Sequence, residues 1–237
     1  METIKKVFKW LDNYWYHYKW TTIIVAFFAV VLIVFAGQMA TSEPNDANVL
    51  FVGPYVLTPN QSLEIENAFV AVMDRDYDGN GKKSALLYDL PAFTDEQAAK
   101  AQAEAAALGE KVVLSEFLVS RVQQKVSYEI MGGENYICLL DPYWFDLMLE
   151  NGAILKLEDA LGETPELSSD GYGIRLKDLD FGAYFTAFDC LPDDTILCIR
   201  YISVANTTLG NDGENSKYEI SKKILRDVID FVAPVES

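Results

Sequence analysis

The sequence predicts a single transmembrane helix followed by an α/β domain, a three-layer fold built on a mainly parallel sheet. Three observations predict it. Residues 20–42 carry no charge at all between Lys19 and Glu43. Beyond them, short apolar runs rich in β-branched and aromatic residues alternate with stretches of helical period. One of those runs, NYICLL at 135–140, is apolar at nearly every position, the pattern of a parallel strand covered on both sides.

The uncharged stretch reads WTTIIVAFFAVVLIVFAGQMATS, 23 residues. Roughly 20 helical residues cross a hydrocarbon core of about 30 Å, and a helix satisfies its own backbone where lipid cannot. Three segments follow: a tail at 1–19, the span at 20–42, and a domain at 43–237. Lys5, Lys6, Lys9 and Lys19 face only Glu2 and Asp12, so the tail is net +2; the remainder is −19, giving −17 for the 237 residues. Basic residues before a span hold that end in the cytoplasm. The expected localisation is therefore the cell membrane, single-pass, with the acidic domain outside. Val34-Phe35-Ala36 offers a small-x-small cleavage pattern and Gln38-Met39-Ala40 a poor one; the span reads as an uncleaved signal anchor. Ile4, Phe8, Leu11, Trp15 and Tyr18 recur at helical spacing, and the aromatic crowd from Trp10 to Trp20 suits the membrane interface. The strong negative charge excludes a nucleic-acid footprint and argues against the domain lying on anionic lipid.

In the domain, 49–57 (VLFVGPYVL) reads as a strand broken near Gly53-Pro54. Thr58 or Asn60 caps a helix running to Met73 through Leu63, Ala68, Phe69 and Val72. Residues 74–83 are a dense turn signal, and 84–90 (SALLYDL) a second strand. Thr94 with Gln97 makes a capping-box pattern for an alanine-rich helix that Gly109 stops. A helix through Phe117, Val122 and Val126 ends at Gly132-Gly133. Strand 135–140 follows, then short helices at 143–150 and 155–161 and a polar loop at 168–177. Residues 195–204 (TILCIRYISV) read as a strand, 206–215 as a loop and 216–232 as a closing amphipathic helix.

Residues 124–161 say more than fold class. A helix runs into Gly132-Gly133, the next strand closes on Asp141, an aromatic-rich helix opens with Tyr143-Trp144, and Gly152-Ala153-Ile154-Leu155-Lys156-Leu157 leads into Glu158-Asp159. This passage resembles the N-terminal lobe of bacterial extracellular solute-binding proteins, the type II periplasmic-binding fold. Residues 191–197 (LPDDTIL) look like that family's return segment into the sheet. The resemblance implies capture of a small solute or peptide. In a parallel sheet the ligand crevice lies beyond the carboxyl ends of the strands. That makes Asp141, Tyr143 and Trp144 the candidate ligand-binding residues, a carboxylate to orient the ligand and two rings to cover apolar area. The same residues also fit a helix cap with packing aromatics. Full binding proteins close two lobes on ligand, and the stretch after the span has room for one. A second role is thus a non-catalytic scaffold or subunit of a membrane protein complex, with a membrane protein partner.

Asp74, Asp76, Asp78 and Asn80, with Gly79 and Gly81, resemble the start of a calcium loop, whose alternate oxygens suit a hard cation. The bidentate acid at position twelve is missing: counting from Asp74 reaches Ala85 and from Asp76 reaches Leu87. Calcium binding then requires Asp89 or a distant carboxylate to complete the shell; otherwise the segment is a tight acidic turn. A hydrolase is the least favoured reading: Asp193-Asp194 could do acid–base work, but adjacent acids are expected by chance in so acidic a domain and fit a solvated turn. The one histidine, His17, precedes the span, and neither a nucleophile elbow nor a glycine-rich phosphate loop is present. The domain reads as non-enzymatic, with no cofactor beyond calcium. Of the three cysteines, Cys138 lies in an apolar run, while Cys190 and Cys198 meet only if 191–197 doubles back; free thiols are the simplest reading. Asn206-Thr207-Thr208 fits a glycosylation pattern.

Overall fold

The computed structural model describes residues 2–41, 45–107, 116–202 and 212–234. The chain divides into two units, Met1–Pro44 and Asn45–Ser237. The expected helix stop at Gly109 and the Asn206-Thr207-Thr208 pattern lie outside the described residues, as do the side chains of Ile4, Phe8 and Leu11.

The first unit is one helix, α1 (Glu2–Thr41), continuous through the expected tail and span. Within it Tyr14–Phe35, 22 residues, is long and apolar enough to cross a membrane. Ile23, Phe27, Phe28, Leu32 and Ile33 are all exposed, as lipid-facing side chains would be. Tyr14 and Tyr18 stack at 5.3 Å, one turn apart.

The second unit is a mixed α/β domain on a five-stranded, mostly parallel sheet. β1 (Ala47–Gly53) ends where Pro54, which has no N–H to donate, would enter the ladder. α2 (Pro59–Val72) starts in a capping box: Thr58 N–H donates to Gln61 Oε1 at 2.9 Å, and Gln61 N–H donates back to Thr58 Oγ1. β2 (Ala85–Pro91) follows, then α3 (Asp95–Ala107) and α4 (Glu116–Gly132), β3 (Ile137–Leu140), α5 (Pro142–Glu150) and α6 (Leu157–Leu161). β4 (Gly173–Arg175) is a three-residue strand inside the segment expected to be loop. α7 (Asp180–Tyr184) stands between two 3₁₀ turns, Leu176–Asp178 and Thr186–Cys190, before β5 (Ile196–Ile199) and α8 (Asp212–Ile229).

The strand order is β2-β1-β3-β5-β4. β1 is parallel to both β2 and β3. β5 is antiparallel to β3 on one side and to β4 on the other, so four strands share a direction and β5 opposes them. The reason lies in the connection. Arg175, the last residue of β4, pairs with Ile196, the first of β5. The chain between them turns over one end of the sheet instead of crossing back, so the next strand must run the other way.

Side chains alternate across the sheet. Val49, Phe51, Ile137, Leu139, Leu197 and Ile199 face one core, joined by Ile65 and Phe69 of α2 and Ile224, Leu225 and Val228 of α8. Leu50, Val52, Cys138, Leu140 and Cys198 face the other, joined by Val126 of α4 and Trp144, Phe145 and Met148 of α5. Burying each large apolar side chain contributes roughly 1.5–3 kcal/mol. Phe181 knits the first core, with its ring 5.2 Å from Phe69 and 4.8 Å from Phe188.

Candidate functional site

Three parallel strands end side by side. Gly53 of β1 pairs with Pro91 of β2, and Val52 with Leu140 of β3; Leu140 in turn faces Ile196 at the start of β5. Their connecting segments converge on one edge, the place where parallel sheets form ligand crevices. A cleft of about 290 Å³ opens there. Its walls are Pro54 after β1, Phe93 after β2, Asp141 after β3, Asp194 before β5, and Gln97, Lys100 and Glu104 along α3.

Asp141 is the best-held of these groups. Its backbone N–H donates to Val52 O at 2.9 Å, extending the β1–β3 pairing by one bond. Its side chain caps α5: Oδ1 accepts Tyr143 N–H at 3.0 Å, ahead of Pro142 at the first helical position. Oδ2 accepts the Gln97 side-chain amide at 3.2 Å. The residue is only 8% exposed. Burial raises its carboxyl above the usual value, opposed by the Tyr143 and Gln97 hydrogen bonds and reinforced by nearby Asp194. Gln97 serves two structures at once, since its Oε1 also accepts Thr94 N–H at 2.9 Å in the α3 capping box.

The two aromatics expected beside Asp141 are placed differently. Trp144 is 3% exposed and packs with Phe145 and Met148 in the second core. Its indole N–H donates to Ala92 O at 3.2 Å. Tyr143 is half exposed, edge-on to Trp144 at 5.3 Å, and is not among the residues lining the cleft. Of the three sequence candidates, then, Asp141 alone lines the cleft; the ring there is Phe93. Phe93, Lys100 and Glu104 were not singled out from sequence, and Asp194 entered only within the LPDDTIL segment. Gln97 carried a signal, but that signal read as helix capping.

A larger cavity, about 430 Å³, borders Ile154, Lys156, Glu158, Tyr172 and Tyr201. Lys156 sits 5.9 Å over the Tyr172 ring. No sequence candidate falls in it.

The acidic turn gains a partner from outside itself. One carboxylate oxygen each from Asp46, Asp76 and Asp78 lie within 4.8 Å of one another. Asp46 immediately precedes β1 and was not anticipated; it is the distant carboxylate a calcium reading requires. These oxygens already accept backbone donors. Asp46 takes Tyr77 and Asp78 N–H on Oδ1 (2.7 and 2.9 Å) and Ser84 N–H on Oδ2 (2.9 Å). Asp76 takes Gly79 and Gly81 N–H at 2.7 and 2.6 Å. Gly79 and Gly81 have φ of 78° and 90°, a region glycine enters without strain. Asp78 takes Asn80 N–H at 2.9 Å and its side-chain amide at 2.8 Å. The Gly81 bond chiefly lowers the Asp76 carboxyl, whereas burial chiefly raises that of Asp78. Asp74 stands apart, with its carboxylate 3.4 Å from Arg75 Nε and its N–H donating to Asp227. Tyr77 hydroxyl donates to the same Asp227 carboxylate at 2.6 Å, tying the turn to α8.

Comparison of the chain with protein-family models, with curated proteins and with solved structures returned no match.

Proposed function

We propose that this chain is a membrane-anchored, non-catalytic solute-binding module, akin to one lobe of the extracellular solute-binding proteins. Its α1 would be the signal anchor, its tail cytoplasmic, and its acidic α/β domain a three-layer sandwich outside. The observation that carries this reading is the Asp141 cleft: a desolvated, doubly hydrogen-bonded carboxylate where three parallel strands end. Acid oxygens from Asp141, Asp194 and Glu104 suit an amine or hydroxyl-rich solute, Lys100 adds a donor, and Phe93 supplies apolar area. The volume suits a small ligand, and a single open cleft buries less of it than two closing lobes. Affinity is expected in the micromolar to millimolar range. The acidic turn serves this reading as a structural joint.

The test is a titration of the full chain in detergent with a panel of monosaccharides, amino acids and polyamines, followed by ligand-detected NMR. Binding that Gln97→Ala or Lys100→Ala weakens at least about fivefold supports the proposal. A panel without binders, or binding unmoved by both variants, removes it. Protease added outside spheroplasts should digest the domain and spare the tail; protection of the domain overturns the orientation.

A second reading, subunit of a membrane protein complex, is favoured by β2. Among the described residues this strand pairs only with β1, and it leaves Leu86 and Tyr88 exposed. Co-purification of a stoichiometric membrane protein that Tyr88→Glu releases would support it.

A further inference from the structure

We infer that Cys138 and Cys198 form a cross-strand disulfide that staples β3 to β5, with Cys190 left as the free thiol. The antiparallel register sets Cys138 directly opposite Cys198. Arg200 N–H donates to Tyr136 O two residues away, which marks the Tyr136/Arg200 positions, and by alternation Cys138/Cys198, as a hydrogen-bonded pair. Such pairs hold their Cα atoms about 5.5 Å apart, at the commonest separation for disulfides. Both side chains point into the same core and both residues are 0% exposed. Both are free thiols in the structure, and Cys138 S–H donates to Tyr136 O at 3.6 Å.

Cys190, which could reach Cys198 only if 191–197 doubled back, lies across the sheet. It packs against the other core, and its S–H donates to Ala187 O at 3.2 Å. Cys198 points to the opposite face, so those two cannot meet without unfolding β5.

The step is a two-electron oxidation. Two S–H bonds break, one S–S bond forms, and two protons and two electrons pass to a disulfide-bearing thiol oxidant, which is released as its dithiol. Burial sets the timing. With no exposure, and with burial pushing the Cys198 thiol well above its ordinary value, the folded pair offers no thiolate to attack an oxidant. The bond therefore forms while β5 is docking. It closes a loop of about 60 residues, long enough for a large effect on the unfolded chain. The inference is independent of any bound solute.

The test uses the full chain in detergent, unfolded and refolded with glutathione disulfide or with dithiothreitol, then alkylated and digested with trypsin unreduced. Because Cys190 and Cys198 share the tryptic peptide 178–200, the single variants Cys190→Ser and Cys198→Ser are run beside the wild type. Expected is a link between peptides 126–156 and 178–200, kept in Cys190→Ser, lost in Cys198→Ser, and raising Tm by about 5–10 °C over the reduced form. The folded reduced wild type should label one thiol quickly and two more only in denaturant. A link that survives Cys198→Ser, or three alkylated thiols after oxidative refolding of wild type, overturns the pairing.

Discussion

The carboxylate of Asp46, just before β1, accepts the backbone N–H of Ser84, just before β2, at 2.9 Å. It also holds Tyr77 and Asp78, so one 4%-exposed side chain closes the whole turn between α2 and β2. Asp46→Ala removes the acceptor for three backbone donors. An unsatisfied buried donor costs about 1–3 kcal/mol, and water can enter this partly open turn. We expect a loss of about 3–5 kcal/mol in urea unfolding and a smaller one for Asp46→Asn, which keeps one oxygen. Because amides already satisfy the carboxylates, chelator should leave Tm unchanged. A Tm that falls with chelator in wild type and not in Asp76→Ala would make the cluster a calcium site.

Trp144 supplies a second prediction. Buried beneath α5, it should behave as packing: Trp144→Ala should cost about 3–5 kcal/mol. Trp144→Phe keeps most of the volume but leaves Ala92 O without the indole donor, a loss of about 1–2 kcal/mol. If both variants unfold as wild type and instead weaken ligand binding, the indole faces ligand, not core.

Asp141 gives the pH dependence. Burial raises its carboxyl in the folded state, so the folded chain keeps this proton to higher pH than the unfolded chain does. The sign follows: the ionisation penalty is complete above the folded value and disappears as pH falls through it. Asparagine caps a helix about as well as aspartate. Urea unfolding of Asp141→Asn between pH 4 and 7 should therefore lose less stability with rising pH than wild type does. Parallel profiles would show that this carboxyl titrates normally.

How far the sequence reveals these features depends on how local each one is. β1 and β3 announce themselves as apolar runs because both of their faces are covered. β4 has three residues, too few to show any alternation, and glycines at 171 and 173 disguise it as loop. The reversed β5 was hidden, since direction is set by how 176–195 turns, not by the composition of TILCIRYISV. Asp141 was legible as a strand-ending cap. The inward turn of Trp144 was legible too: Trp144, Phe145 and Met148 share a helical face that excludes Tyr143. Asp46 and the Cys138–Cys198 register were not, because each contact joins residues far apart in the chain.

Arg200 yields the last prediction. It is 1% exposed, yet its guanidinium has no carboxylate partner among the described residues. Instead it donates to Glu129 O and Gly133 O, and lies 5.6 Å over the Tyr136 ring. Glu129 and Gly133 mark the end of α4, where a cation also meets the negative end of the helix dipole. Arginine fits because its fork reaches two carbonyls at once and its charge is weakly hydrated. Arg200→Lys keeps a buried charge of stronger hydration and loses the fork. Arg200→Met removes the charge altogether; Glu129 O still accepts Gly133 N–H at 2.8 Å, so Gly133 O loses its arginine donor while Glu129 O stays bonded. Removing the charge also removes its desolvation cost, while losing the hydrogen bond to Gly133 O costs about 1–3 kcal/mol. The conservative change should therefore be the worse one, with Arg200→Lys costing about 3–5 kcal/mol and Arg200→Met about 1–2 kcal/mol in urea unfolding. The reverse order would mean that the charge at the α4 terminus, not the two-pronged geometry, holds β5 in place.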